Sequence, residues 1–171
     1  MHRLFVALFV VLVPAAALAD DVVILVSPAA AFSNPDMIAS NVKEECGLPA
    51  YQAGVVRRQM ESSGLAAKVS DKDEVPGNGR FLLLRIENAM SAGNAFIGHR
   101  KQVATSAKLY ENGNEIARSV HTRDSMGGFG AGFKGSCAVL QRCADTLAID
   151  ITTWLKGQLA SLATAAPPAT K

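Results

Sequence analysis

The pattern in this sequence closest to known chemistry is a glycine cluster. Gly130, Gly132 and Gly135 spell G-x-G-x-x-G between a strand-like stretch and a helix-like one. Backbone N–H groups in such a loop can cradle a phosphate, and this local order is that of a dinucleotide site. A dinucleotide fold needs a further parallel strand after the helix, carrying an acid for the ribose. No such strand follows here, and no G-K-[ST] makes it a P-loop. What the loop could still do is hold an anion between its N–H groups, the helix start and Lys134. The candidate ligand or partner loop is therefore Gly127, Gly128, Phe129, Gly130, Gly132, Phe133 and Lys134. Phe129 and Phe133 either dock on a partner or fold back to bury their rings on the sheet.

Other chemistries find less support. Beyond the first residues the histidines are His99 and His121, and no C-x-x-C or H-x-x-x-H occurs, so no metal is expected. A hairpin turn at Asn112-Gly113 that pairs Glu111 with Asn114 would pair His121 with Ala104. His99 would then lie on the opposite face, and the rings would not converge. Asp124 and Ser125 stand close to His121, but neighbouring strand residues point to opposite faces and no G-x-S-x-G elbow is present. No catalytic set and no cofactor is expected.

The three cysteines, Cys46, Cys137 and Cys143, suggest one disulfide and one thiol left over. Cys137 and Cys143 are six apart on a helix, about 240° around its axis, and cannot bond to each other. Cys46 is then the partner of one of them, with Cys137 favoured because the helix start has more backbone freedom. Such a bond joins the region before the first good helix to the start of the last.

These residues must be placed by elements that the periodicity reveals. Ser136 to Leu159 is the clearest helix. Leu140, Cys143, Ala144, Leu147, Ile151, Trp154 and Leu155 make one apolar stripe, with Ser136 as candidate N-cap. Leu48-Pro49 opens another helix, with Tyr51, Val55, Val56 and Met60 on its apolar side and Gly64 closing it. Asp36 to Glu45 is ambiguous, though the spacing of Ile38, Val42 and Cys46 suits a helix. Val22 to Val26 and Arg80 to Glu87 read as central strands, and Leu65 to Ser70 as a short one. Asn88 to Gly98 reads as a polar loop. Val103, Thr105, Ala107 and Leu109 alternate before Asn112-Gly113, and Ile116, Arg118, Val120 and Thr122 alternate after it, which predicts a long hairpin. The expected fold is α+β, a two-layer sandwich of a mixed or antiparallel sheet with two main helices on one face, in the order β-α-β-β-β-β-α.

The start of the chain reads as an address. His2 and Arg3 precede an apolar run from Leu4 to Val13, and Ala17-Leu18-Ala19 has the small-x-small form of a cleavage site. Residues 1–19 are expected to be a signal peptide, 20–160 a single domain and 161–171 a flexible tail. The apolar run is too short to span with flanks, and no stretch elsewhere reaches the roughly 18 apolar residues of a span. The expected address is the periplasm. Lys and Arg number 17 against 15 acidic residues with no basic run, which speaks against nucleic acid as a partner.

With these elements placed, the chain resembles a group of small exported bacterial domains without assigned function. The likeness rests on Gly93-Asn94, the hairpin from Val103 to Thr122, the glycine run from Gly127 to Gly135, and Asp150-Ile151-Thr152-Thr153-Trp154-Leu155. Glu45 to Pro49 and Gly135 to Cys137 share in it. The order of strands and helices is loosely similar to the N-terminal domain of TolB. The resemblance implies an envelope address and no catalytic residue. It leaves two functions to test: a non-enzymatic module that binds an envelope protein or component, and a small-ligand or anion binder at the glycine loop.

Overall fold

The structure is a computed structural model that describes residues 22–94, 98–125 and 135–165, with the side chains of residues 92–99 outside that description. The elements run β1 (Ile24–Val26), β2 (Ala31–Phe32), a 3-10 turn (Pro35–Met37), α1 (Ser40–Glu45) and α2 (Leu48–Ser62). They continue with β3 (Ala67–Val69), β4 (Arg80–Asn94), β5 (Gly98–Glu111), β6 (Asn114–Ser125) and α3 (Ser136–Ala165). The sheet has six strands in the order β3-β1-β4-β5-β6, and β2 adds to β4 beyond β1. β1 lies parallel to β3 and β4, while β4, β5 and β6 are antiparallel to one another. This is the expected mixed α+β sheet with the helices on one side.

Alternation builds the core. Ile24, Val26, Leu82, Leu84, Ile86, Val103, Ala107 and Leu109 point to the helix side and are buried. From above, α2 brings Leu48, Val56 and Met60, and α3 brings Leu140, Leu147, Ile151 and Leu155. Pro28 breaks β1 from β2, and the Ser27 hydroxyl accepts the Leu84 N–H at 3.1 Å in the gap. Gly64, with φ of 83°, ends α2, and the Leu65 N–H returns to the Met60 carbonyl. The two long helices run side by side in the same direction. Tyr51 donates to Asp145 at 2.9 Å near one end of their contact, and Lys156 donates to the Ser63 carbonyl near the other. Cys46 and Cys137 form the disulfide, with Cα atoms 4.9 Å apart.

Four expectations need correction. The stretch Asn88 to Gly98 is not a loop: β4 continues to Asn94 and pairs with β5 down to Asn94–Gly98. A bulge between Ile86 and Asn88 shifts the alternation by one, so the helix side passes from Leu82, Leu84 and Ile86 to Ala89. The broken phase and the small residues gave this segment the look of a turn. The hairpin also has a bulge, at Ile116 on β6 opposite the Leu109–Tyr110 step of β5, so that His121 pairs with Thr105 and not with Ala104. Ala117, Ser119 and His121 therefore take the helix side, and Ile116 and Val120 are exposed. The last helix runs past Leu159 to Ala165, taking in the first part of the expected tail; Leu162 still packs on the core there. Finally, Ser136 is the first residue of α3, and its hydroxyl accepts from Ser91 at 3.2 Å. The turn before it is closed by Val139 N–H to the Gly135 carbonyl.

Candidate functional site

The residues nominated by sequence divide into two groups. Gly127, Gly128, Phe129, Gly130, Gly132, Phe133 and Lys134 lie outside the described residues. The cysteines are placed: Cys46 and Cys137 are bonded, and Cys143 is a buried free thiol whose pKa burial raises, with Asp124 adding to the rise. A buried thiol held in its protonated form is a poor nucleophile. Asp124, Ser125 and His121 do not converge. His121 and Ser125 share the helix side about 13 Å apart along the strand, while Asp124 accepts from Arg100 and Gln102 on the open side. His99 pairs with Gly93, six positions along β5 from the partner of His121. Among the described residues no group of three His, Cys, Asp or Glu could hold a metal. No described helix is long and apolar enough to cross a membrane.

A polar cluster that the alternation should have exposed sits at the start of α3. Lys101 shares the parity of Val103, Thr105, Ala107 and Leu109, which puts it on the buried side of β5, and it is only 5 % exposed. Its pairing partners are Ser91 on β4 and Ser125 on β6. The Lys101 ammonium donates to the Ser91 hydroxyl, which donates in turn to Ser136 at the first turn of α3. An ammonium has three donors, and a buried lysine that gives one to the Ser91 hydroxyl has a chemistry that suits an anionic group. Ser91 escaped notice because its segment read as a loop.

The second feature is β6 itself, the last strand of the sheet. Its helix side packs under α3: His121 meets Trp154 edge-on with centroids 6.4 Å apart, and Arg123 donates two hydrogen bonds to Asp150, one at 2.6 Å. Burial lowers the His121 pKa, with Asp150 acting against that shift and Arg123 with it. The open side carries Arg118, Val120, Thr122 and Asp124 at every second position, and Val120 is 61 % exposed. Arg118 holds Glu115, whose carboxyl is pulled below the usual range by that hydrogen bond. Where β6 meets α3, Arg123, Asp124, Ser125, Arg142, Cys143 and Thr146 line an open cleft of about 250 Å³. No strand covers the outer edge of β6 among the described residues.

No protein-family model and no curated protein sequence matches the chain. Solved structures do match in fold. A Xanthomonas campestris protein of family DUF330 is 17% identical, with a TM-score of 0.54, over 83% of this chain and 89% of that one. A second, titled only as an uncharacterized protein, is 11% identical with a TM-score of 0.50, over 79% and 92%. The rare lipoprotein B from Shewanella oneidensis is 11% identical with a TM-score of 0.42, over 83% and 96%. At these identities the first two show a likeness of fold alone.

Proposed function

We propose that the chain is a non-enzymatic accessory module of the bacterial envelope that docks a protein partner along the outer edge of β6. The observation that carries this reading is the edge itself: a 12-residue strand with no strand beyond it among the described residues and an exposed Val120 at its middle. Unpaired N–H and C=O groups on such an edge accept an added strand, and the side chains on the exposed face choose which strand. Export to the periplasm, with residues 1–19 as a signal peptide, fits the same reading. A Cys46–Cys137 bond is one that an oxidising compartment favours, which supports this reading. The test is a photo-crosslinking residue in place of Val120 in cells making the exported chain, with the same residue at exposed Glu44 on α1 as control. Position 120 is expected to give a discrete adduct that position 44 does not. Equal or absent labelling at the two positions sinks the reading.

The Lys101 cluster supports a second reading, an anion binder at the start of α3. Phosphate or sulfate should then raise the melting temperature of the protein, and Lys101→Met should remove that rise. A melting temperature indifferent to both anions removes this alternative.

A further inference from the structure

We propose that the occupant of the β6 edge is β6 of a second copy, joined antiparallel so that Arg118 of each copy faces Asp124 of the other. This rests on the reading of β6 as the docking edge and names the partner. Register singles out this pairing. On the open face Arg118, Val120, Thr122 and Asp124 follow at intervals of two. Laying β6 against its own copy with His121 opposite His121 sets Arg118 against Asp124 and Val120 against Thr122. Two-fold symmetry repeats both pairs. Sliding the copy by two residues one way sets Arg118 against Thr122 and Asp124 against Ile116. Sliding it the other way sets Val120 against Asp124 and carries Arg118 past the end of the partner strand. A slip by one residue places side chains of opposite faces against each other. Only one register matches opposite charges on the same face, so the charge pattern specifies it.

The present partners of these charges do not stand in the way. Arg118 is held by Glu115, and Asp124 by Arg100 and Gln102, all at the surface. Surface pairs of this kind exchange readily. Natural edges that stay single are commonly guarded by lysines or other charges, prolines or bulges. The stretch Asn114–Ser125 contains no Lys and no Pro, and its open face carries charges of both signs, Glu115, Arg118 and Asp124. A two-fold pairing of this kind closes on itself and leaves no free β6 to propagate a fibre.

Sedimentation velocity on the exported, disulfide-intact chain tests the proposal. The unaltered protein is expected to sediment at twice the mass of the chain. Arg118→Asp should weaken the dimer by about tenfold or more, since it sets like charges opposite each other twice. Arg118→Asp combined with Asp124→Arg should restore it, because the swap recreates the same pairs in the same register. Circular dichroism melting on each variant shows that the fold survives. A monomer at every concentration, a dimer indifferent to Arg118→Asp, or a swap that fails to restore it overturns the proposal. The adducts at position 120 separate this from the reading beneath it. A monomeric chain that still crosslinks there to a different envelope protein keeps the docking edge and removes the second copy. A monomer with no adduct removes both.

Discussion

At one side of the sheet β3 offers three residues, Ala67–Val69; at the other β6 offers 12. The short edge is followed at once by a charged turn, and that turn folds back across the open face of the sheet. Asp73 holds Arg85, the Gly79 N–H donates to the Asn112 side chain at 3.0 Å, and the Asn112 N–H donates to the Gly79 carbonyl. Phe81 points away from the helices, yet it is 0% exposed where this turn crosses the sheet. The long edge has no such cover among the described residues. A fold that needed only to close its core would treat both edges alike. Here one edge is three residues long and runs straight into a charged turn, and the other is 12 residues long and carries charges of both signs. That difference in length and exposure is what the proposed docking at β6 rests on.

The largest expected effect bears on what the two edges share. The Cys46–Cys137 bond spans 91 residues and ties the start of α2 to the start of α3. Replacing both cysteines by serine should lower stability by about 4–5 kcal/mol in the chain-entropy account. Denaturant titration of the variant against the oxidised protein measures it. Both edges hang on the same core, so amide exchange in β3 and β6 should quicken together. Quickening at β6 alone would show that the two regions unfold separately.

A smaller effect, about 1 kcal/mol, is expected from Gly113→Ala. Gly113 has φ of 81° and Asn112 φ of 51°, the two left-handed positions of the β5–β6 turn. An alanine is strained there, although the space around its Cβ is ordinary. The loss should appear in thermal melting. It should fall on the β6 side of the comparison, with β3 amides keeping their protection.

The pH dependence is smaller again. The His121 pKa lies below its ordinary value because burial under Trp154 penalises the charged ring. The unfolded chain therefore takes up the proton first as pH falls through about 6.5, and the folded state loses stability from there down to the folded pKa. His121→Gln should flatten this part of the stability profile. A His121 titration at or above the ordinary value, read by NMR, would contradict the assigned environment.

The fold was legible wherever one period ran unbroken. The apolar stripe of α3 and the Pro49-to-Gly64 frame of α2 gave helices close to those found, and Asn112-Gly113 marked the turn. What escaped was every place where the period changed phase. The bulge before Asn88 disguised the second half of β4 as a loop and took Ser91 with it. The bulge opposite Tyr110 moved His121 from the partner of Ala104 to that of Thr105. A two-residue pattern cannot show such a shift, because each half looks regular and only pairing with a neighbour reveals the extra residue. Lys101 was legible by parity alone, since it alternates with Val103 and Thr105. Helix geometry excluded a Cys137–Cys143 bond and left Cys46 to pair with one of the two, Cys137 being favoured and found; the free edge of β6 came from strand order, which local sequence does not carry.

The smallest effect on stability makes the sharpest test. Val69 on β3 and Val120 on β6 are both exposed valines, at 52% and 61%. Lysine at either site leaves the core untouched, and each change should stay within about 0.5 kcal/mol of the parent. Their consequences for association should differ. Lysine at 69 adds charge to an edge that is already short and beside a charged turn, so nothing that docks is disturbed. Lysine at 120 lies between Arg118 and Thr122 on the face that a partner strand must meet. It removes the more exposed of the two apolar side chains there and adds a second positive charge next to Arg118. Sedimentation of Val120→Lys should show the monomer, and Val69→Lys the parent's behaviour, with equal melting temperatures for the two variants. If both variants associate as the parent does, the length of β6 is a matter of folding alone and the asymmetry of the two edges has no docking role.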